Sequence, residues 1–267
     1  MPYVLSKPAK TGFFIFAALV GCAVSFVAGL FVADSRWVSL QFHDSWHTRS
    51  AHEKQREKEK RNKYWADKII GGGYILHIRH AQREKWHDSA AFDAWELAKD
   101  IDASKSSFPQ ATCLTSQGVE EAKLIGNVFR HSGVKVSKVL SSPSCRARQT
   151  AEYAFGDDYD VSNSLLNRTA IMPDQRADFA QSLRRLLMTV EVPEGSNVVL
   201  TGHGATLEWD GKAVVDEDTT GKRRDRKETG FFVLERSGDR IIAHYKFTSI
   251  KEFANAVIEL PVARKSN

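Results

Sequence analysis

The chain has 267 residues, of which 42% are hydrophobic and 10% aromatic, and this composition suits a globular domain and excludes a disordered protein. The net charge of +5 is concentrated in residues 51–68 and 222–227, which favours anionic small molecules or lipid headgroups over a nucleic-acid groove. The cysteines, Cys22, Cys113 and Cys145, form no CxxC pair and no zinc-ligand spacing, so we expect no structural metal.

Residues 11–33 predict a membrane-spanning helix that follows a short N-terminal tail, 1–10. The segment contains no charged side chain and is long enough to cross a hydrocarbon core of about 30 Å. A cleaved signal peptide is the first alternative, although its apolar region is usually about 7–15 residues long. A lipoprotein signal at Leu19-Val20-Gly21-Cys22 is the second, although the chain stays apolar beyond it. We favour a single-pass membrane protein.

The positive charges beside this helix indicate its orientation. Lys7, Lys10 and the N-terminal amine precede it, whereas Arg36 and Arg49 follow it. Because the more positive flank usually stays in the cytoplasm, we expect the remainder of the chain on the exported side. In an oxidising compartment Cys113 and Cys145 could form a disulfide, and two unpaired thiols are the alternative.

Residues 34–70 predict a charged linker. Within it, 49–68 has many alternating charges and little apolar periodicity, which is typical of a solvated helical stalk. Binding to anionic lipid is the alternative function of these charges. Gly71-Gly72-Gly73 marks a break, and we expect a separate domain over 71–267.

From residue 74 onward, short apolar runs alternate with amphipathic stretches, which predicts a layered α/β fold. We expect strands over 74–79, 137–141, 196–201, 230–235 and 240–247. We expect helices over 116–131, 144–155 and 175–190. Ser237-Gly238-Asp239 separates the last two strands and is typical of a hairpin turn.

The first strand ends in the pair Arg79-His80, where α/β sheets bind their ligands. A neutral imidazole is a competent nucleophile towards phosphorus, and forked guanidinium groups match the oxygens of a phosphoryl group. We therefore expect His80 to act as nucleophile, with His203 as a further donor. The expected phosphate clamp consists of Arg79, Arg83 and Arg146. We expect His77, inside the strand, to be a packing residue.

Four motifs in this chain resemble the histidine phosphatase superfamily, also called the phosphoglycerate-mutase-like family. They occur in the family's order over residues 74–247. They are Arg79-His80, Leu114-Thr115-x-x-Gly118, Ser141-Ser142-Pro143-x-x-Arg146-Ala147-x-Gln149-Thr150-Ala151-Glu152, and Gly202-His203-Gly204.

The resemblance implies a three-layer α/β/α fold with a central, mostly parallel sheet, and a phosphohistidine mechanism that uses no metal or other cofactor. His80 matches the phosphorylated histidine of the family, and His203 matches its second histidine. Arg79 and Arg146 match the phosphate-binding arginines. Arg83 matches an arginine that occurs at this place in some branches.

Two positions depart from the family pattern. Ala81 stands where most members have glycine, and Leu165-Leu166-Asn167 stands where mutase-like members have an acidic residue. The proton donor for the leaving group is therefore open. The candidates are Asp174, Glu208 and Glu84, and we favour Asp174 because it lies in the segment that follows the third strand of the family pattern.

Two segments are expected near the mouth of the site. The insertion over 81–112 has several aromatic residues that could cover the pocket or pack an accessory helix. The basic loop over 212–227 could attract a polyanion or a membrane surface, or be simply solvated. Thr206 and Ser142 could also touch phosphate, although we expect Ser142 mainly to shape its turn.

The function that these observations favour is a membrane-anchored phosphatase that hydrolyses a phosphomonoester or a phosphoramidate through a phosphohistidine on His80. The alternatives are a phosphomutase-type transferase and a sensor that binds a phosphorylated ligand with little turnover. The expected partners are a phosphorylated small molecule, an envelope glycan or lipid, or a phosphoprotein, and the membrane itself through residues 11–33. We expect no nucleic-acid partner.

Overall fold

A computed structural model describes residues 50–83, 113–167, 175–204, 207–209, 212–220 and 226–258. Contacts divide the chain into two units, Met1–Lys58 and Glu59–Asn267, and every strand of the described residues belongs to the second. The predicted anchor over 11–33 lies outside the described residues. Among the residues that are described, no helix is both long and apolar enough to cross a bilayer.

The second unit alternates helices with strands, in chain order. Residues 59–71 are helical and are called α1. The remaining helices are α2 (Ser116–Ser132), α3 (Cys145–Phe155), α4 (Arg176–Thr189) and α5 (Ile250–Val257). The strands are β1 (Ile75–Arg79), β2 (Val136–Ser141), β3 (Asp160–Val161), β4 (Asn197–Gly202), β5 (Glu208–Trp209), β6 (Lys212–Ala213), β7 (Glu217–Asp218), β8 (Phe231–Ser237) and β9 (Arg240–Phe247).

Seven strands form one sheet in the order β3-β2-β4-β1-β8-β9-β7, and β5 and β6 form a separate antiparallel pair. Strands β3, β2, β4 and β1 are mutually parallel. Strand β8 is antiparallel to both β1 and β9. Strand β7 is parallel to β9, so β8 alone runs against the other strands of this sheet, and the sheet is mixed but mostly parallel, as predicted. Strand β8 has this direction because a tight hairpin reverses the chain before β9, where Gly238 has a φ of +62°.

Helices cover both faces of the sheet, since neighbouring residues of a strand point to opposite sides. Leu76 of β1 packs into the core beneath α1, α2, α3 and α5, whereas Ile75 packs into the core beneath α4. Phe129 and Phe253 anchor the first core, and their ring centroids are 5.6 Å apart. Leu183 belongs to the second core. Apolar residues on both faces make β1 a central, buried strand.

The end of the predicted solvated stalk contributes to the core. Asn62, Ala66 and Ile69 are buried, and their spacing of four and three residues places them on one face of α1. Trp65 stacks on Tyr245 with 5.9 Å between ring centroids, and the Tyr245 hydroxyl donates to Asn62 Oδ1 at 2.6 Å. This narrow apolar face is hidden among alternating charges in the sequence.

The start of α2 lies against the chain that leaves β1. Thr115 Oγ1 accepts a hydrogen bond from Gly118 N at 3.0 Å and caps the helix. A Cβ atom at Gly118 would lie 1.9 Å from the carbonyl oxygen of Gln82, so only glycine allows this approach. The contact positions the residues that follow His80.

Candidate active site

The site lies at the carboxyl ends of three parallel strands. His80 follows β1, Ser142 follows β2 and His203 follows β4. The strand pairing continues past the last strand residues, because His80 N donates to Gly202 O and Ser142 N donates to Thr201 O, each at 2.9 Å. The sheet therefore carries these three residues to the same edge, where such folds bind ligands.

His80 presents a neutral imidazole. Its Nδ1 lies 2.8 Å from the carbonyl oxygen of Ala81. Since a carbonyl only accepts, Nδ1 carries the proton and Nε2 keeps its lone pair. Burial, and secondarily the Arg146 guanidinium, lower the pKa of His80 well below its usual value. At neutral pH the ring is therefore uncharged and nucleophilic at Nε2.

His203 has the opposite tautomer. Arg146 Nη2 lies 3.2 Å from His203 Nδ1, and a guanidinium only donates, so Nδ1 accepts and Nε2 carries the proton. His203 Nε2 lies 3.0 Å from Ser142 Oγ and 3.2 Å from Ser144 Oγ. Burial, followed by Arg146, lowers the pKa of His203 well below its usual value. The rings of His203 and His80 are 5.5 Å apart.

Two arginines bring positive charge to the histidines. Arg146 is 1% exposed and lies in the first turn of α3, whose N-terminus favours anions. Arg79 Nη1 donates to Arg226 O at 2.7 Å, and Arg79 Nε has no hydrogen-bond partner among the described residues. Burial lowers the pKa of Arg79, and the charge of Glu228 opposes this effect. Both side chains are suited to bind phosphoryl oxygens.

Arg83 also lies on the site's side of the domain. Its backbone forms an isolated antiparallel bridge with Leu114, and its charge is one of those that lower the pKa of His80. The structure thus brings all three predicted clamp arginines into the surroundings of His80. Their roles in binding phosphate remain predictions.

A disulfide joins Cys113, shortly before α2, to Cys145, the first residue of α3. Cys113 and Cys145 are bonded, with their Cα atoms 4.9 Å apart, and both are buried. Leu114 N donates to Gln149 Oε1 of the same helix at 2.8 Å. The sequence left this pairing open. In the structure it connects the residue next to Arg146 to the start of α2.

Side chains of α3 and α2 hold the chain that follows His80. Thr150 Oγ1 accepts from Ala81 N at 3.0 Å, and Glu121 Oε2 accepts from Gln82 N at 3.1 Å. Ala81 is fully buried, so its small side chain fits closely packed surroundings. Thr150 lies in the third motif, but its sequence indicated no role for it. Its hydrogen bond to Ala81 joins residues far apart in the chain.

The position of the general acid is not given by the described residues. Asp174 and Glu84 lie outside them, as does Thr206. Glu208 is in β5, on the hairpin that follows His203 in the chain. Burial, followed by the charge of Arg146, has the largest effect on the pKa of both His80 and His203. Asp174 therefore remains a prediction.

Sequence reasoning missed Arg226. It belongs to the predicted basic loop over 212–227 and carries no signal beyond that charge run, yet its side chain is only 3% exposed. Its guanidinium contacts backbone carbonyls beneath the site.

Among the described residues there is no group of three or more His, Cys, Asp or Glu side chains that could hold a metal ion.

Comparison with known proteins agrees with the motif order. Residues 75–165 match the family described as the histidine phosphatase superfamily (branch 1). The matched segment contains the Arg79-His80 pair and the motif with Arg146, and it ends before His203. No curated protein matches the chain.

Solved structures of proteins named as protein histidine phosphatase and phosphoserine phosphatase resemble the chain at low identity. A protein named SixA from Agrobacterium tumefaciens is 18% identical, with 66% of this chain and 97% of that chain covered and a TM-score of 0.39. SixA bound to tungstate is 15% identical, with 65% and 96% covered and a TM-score of 0.41. A phosphoserine phosphatase mutant from Entamoeba histolytica is 16% identical, with 65% and 95% covered and a TM-score of 0.41.

Proposed function

We propose that this chain belongs to the histidine phosphatase superfamily, whose family model matches residues 75–165, and that it hydrolyses a phosphomonoester or a phosphoramidate through a phosphohistidine on His80. The observation that carries the proposal is the meeting of two neutral imidazoles, His80 and His203, with buried Arg146 at one edge of the sheet. An uncharged imidazole offers a lone pair to phosphorus, and guanidinium groups neutralise the charge of the phosphoryl oxygens.

The reaction proceeds in two displacements. His80 Nε2 attacks phosphorus, so that a P–N bond forms while the bond from phosphorus to the leaving atom breaks. The leaving atom takes a proton from an acid, for which Asp174 is our candidate. Water then attacks the phosphohistidine and gives a proton to the same carboxylate, which restores His80 and releases phosphate. Arg79, Arg83 and Arg146 bind the phosphoryl oxygens in both steps.

We further propose that residues 11–33 anchor the protein and that the domain lies on the exported side. The disulfide between Cys113 and Cys145 supports this location, because disulfides persist in oxidising compartments. Tethering suits a substrate at the membrane, such as a phosphorylated envelope glycan, lipid or protein. Protease added to intact spheroplasts should degrade the domain, and protection from protease would place it in the cytoplasm instead.

The catalytic test uses full-length protein in detergent, an aryl phosphate and a metal chelator. We expect wild-type protein to release phosphate and to form a phosphoenzyme that is labile to acid and stable to base. His80→Ala should lose both signals. His131→Ala is the matched control and should retain both phosphate release and the phosphoenzyme, because His131 is exposed on α2.

Two outcomes would contradict the proposal. Turnover that survives in His80→Ala would assign the activity to another group or to a contaminant. A stable phosphoenzyme that passes its phosphoryl group to a second substrate, with no phosphate released, would identify a transferase.

A further inference from the structure

Arg226 lies beneath the candidate site and forms a fork of hydrogen bonds to backbone carbonyls. Its Nη1 donates to His77 O at 2.6 Å. Its Nη2 donates to His203 O at 2.9 Å and to Gly204 O at 3.2 Å. The guanidinium carbon lies 4.3 Å from the ring centroid of Phe232. A single side chain therefore joins the middle of β1 to the turn that carries His203.

The charge of Arg226 has no opposite partner among the described residues. Its hydrogen bonds go to neutral carbonyl oxygens, and the charged group that acts on it most directly is Arg79, of the same sign. Burial and this repulsion lower the pKa of Arg226 to about 9, so the side chain is still positive at neutral pH. A buried cation without an anion is unfavourable, since desolvation is not offset by an ion pair.

The backbone of Arg226 also holds Arg79, one of the predicted phosphate-binding arginines. Its carbonyl oxygen accepts from Arg79 Nη1 at 2.7 Å. The residues that follow are held as well, because Lys227 N donates to Thr248 O and Thr229 N donates to Arg79 O. Thr229 has a φ of +65°, which is rare for a β-branched residue and indicates that the surrounding contacts impose this conformation.

We propose that Arg226 is a positioning residue for the phosphoryl group: it holds Arg79 and the His203-Gly204 turn in one arrangement, and the bound anion supplies its missing counter-charge. This inference rests on the proposed function, because it takes the same site as a phosphate site. Arg226 itself need not touch the substrate. Its field reaches the anion through a water-poor interior, where charges interact more strongly than in water.

An arginine suits this role better than a lysine. Its planar fork presents donors in fixed directions and can reach three carbonyl oxygens at once, while its flat face packs on Phe232. A lysine would retain the charge but lose the fork. A glutamine would retain an amide donor but lose the charge. The two substitutions therefore separate the contributions of charge and geometry.

The test measures binding of inorganic phosphate to full-length protein in detergent by titration calorimetry, and the thermal unfolding of each variant. We expect Arg226→Gln to weaken phosphate binding about tenfold or more, and Arg226→Lys by about threefold, since hydrogen bonds and charge contribute separately. Phosphate should also raise the unfolding temperature of wild-type protein more than that of Arg226→Gln.

Arg184→Gln is the matched control. Like Arg226, Arg184 donates to backbone carbonyls, in its case those of Val214 and Asp239. Arg184 lies on α4, however, and forms an ion pair with Asp216. We expect Arg184→Gln to lower the unfolding temperature and to keep its phosphate affinity within about twofold of the wild-type value. Equal losses of affinity in the Arg184 and Arg226 variants would overturn the proposal, because the effect would then be general destabilisation.

Other results also overturn the proposal. A folded Arg226→Gln with wild-type phosphate affinity excludes the role. If that variant does not fold, wild-type affinity in Arg226→Lys excludes the positioning part. Phosphate binding needs no turnover, so a protein that binds phosphate through Arg226 but releases none from esters refutes the proposed function alone. Ester hydrolysis with unchanged KM and kcat in Arg226→Lys and Arg226→Gln refutes this inference alone.

Discussion

Arg146 Nη2 lies 3.2 Å from His203 Nδ1, and this contact sets the proton of the second histidine on Nε2. His80 has its proton on Nδ1 instead, because that atom faces the carbonyl oxygen of Ala81. The two imidazoles therefore differ in chemistry although both are buried and neutral. His80 offers a lone pair, whereas His203 offers a donor that Ser142 and Ser144 accept.

Removing both serine hydroxyls should affect activity more than the two single losses together. Ser142→Ala or Ser144→Ala leaves one acceptor for His203 Nε2, so each single variant should lose less than about threefold in kcat/KM. The double variant leaves a buried donor unpaired and should lose about tenfold or more. A double-mutant cycle on kcat/KM measures this coupling, and strictly additive effects would show that the hydroxyls do not share His203.

The buried histidines predict that stability falls in acid. His77, His80 and His203 have lowered pKa values, so the unfolded chain binds more protons than the folded protein below the ordinary histidine pKa of about 6.5. The histidine contribution to the free energy of unfolding should therefore be constant between that pH and pH 8 and decrease below it. Each histidine should contribute a slope of up to about 1.4 kcal/mol per pH unit.

Urea unfolding between pH 8 and pH 5 measures this slope. His77→Gln removes one buried imidazole and should reduce the slope by about one proton. His131→Gln removes an exposed imidazole from α2 and is the control. A wild-type slope in His77→Gln would mean that His77 titrates alike in the folded and unfolded states.

The disulfide should stabilise the domain and support Arg146. Loss of the bond in Cys113→Ser with Cys145→Ser should lower the free energy of unfolding by about 2–4 kcal/mol, because the unfolded chain regains freedom over a separation of 32 residues. Thermal unfolding with and without reductant measures the effect. Cys22→Ser is the control and should respond to reductant as wild-type protein does. If the double variant responds to reductant as wild-type protein does, Cys113 and Cys145 are not bonded to each other.

Gly118 should tolerate no side chain. Gly118→Ala places a Cβ 1.9 Å from Gln82 O, so either α2 or the chain after His80 must shift. We expect a loss of about 1–3 kcal/mol in the free energy of unfolding, together with reduced phosphate release. Gly71→Ala is the matched control, because a Cβ there meets no atom within 4 Å. If Gly118→Ala and Gly71→Ala are equally stable, α2 must lie farther from Gln82 than it does in this structure.

Local patterns in the sequence predicted the motif-bearing residues, the five long strands and helices α2 to α4, but not α5 or the two-residue strands β3, β5, β6 and β7. Alternating apolar runs indicated the strands that include β1, β4 and β9, and the Arg79-His80 pair at a strand end indicated an anion site. The helix expected over 116–131 corresponds to α2. Such signals are readable because a strand, a helix cap or a strand-end motif depends on residues that are close in the chain.

Tertiary structure decided what depends on residues far apart in the chain. The hairpin β8–β9 pairs antiparallel with β1 and makes the sheet mixed, and the apolar face of α1 becomes core only because Tyr245 and its neighbours cover it. The proton positions on His80 and His203 follow from contacts with Ala81 and Arg146. Burial removes water from the charge of Arg226, which lies in a basic stretch that the sequence predicts as a loop, and burial depends on residues distant in the chain.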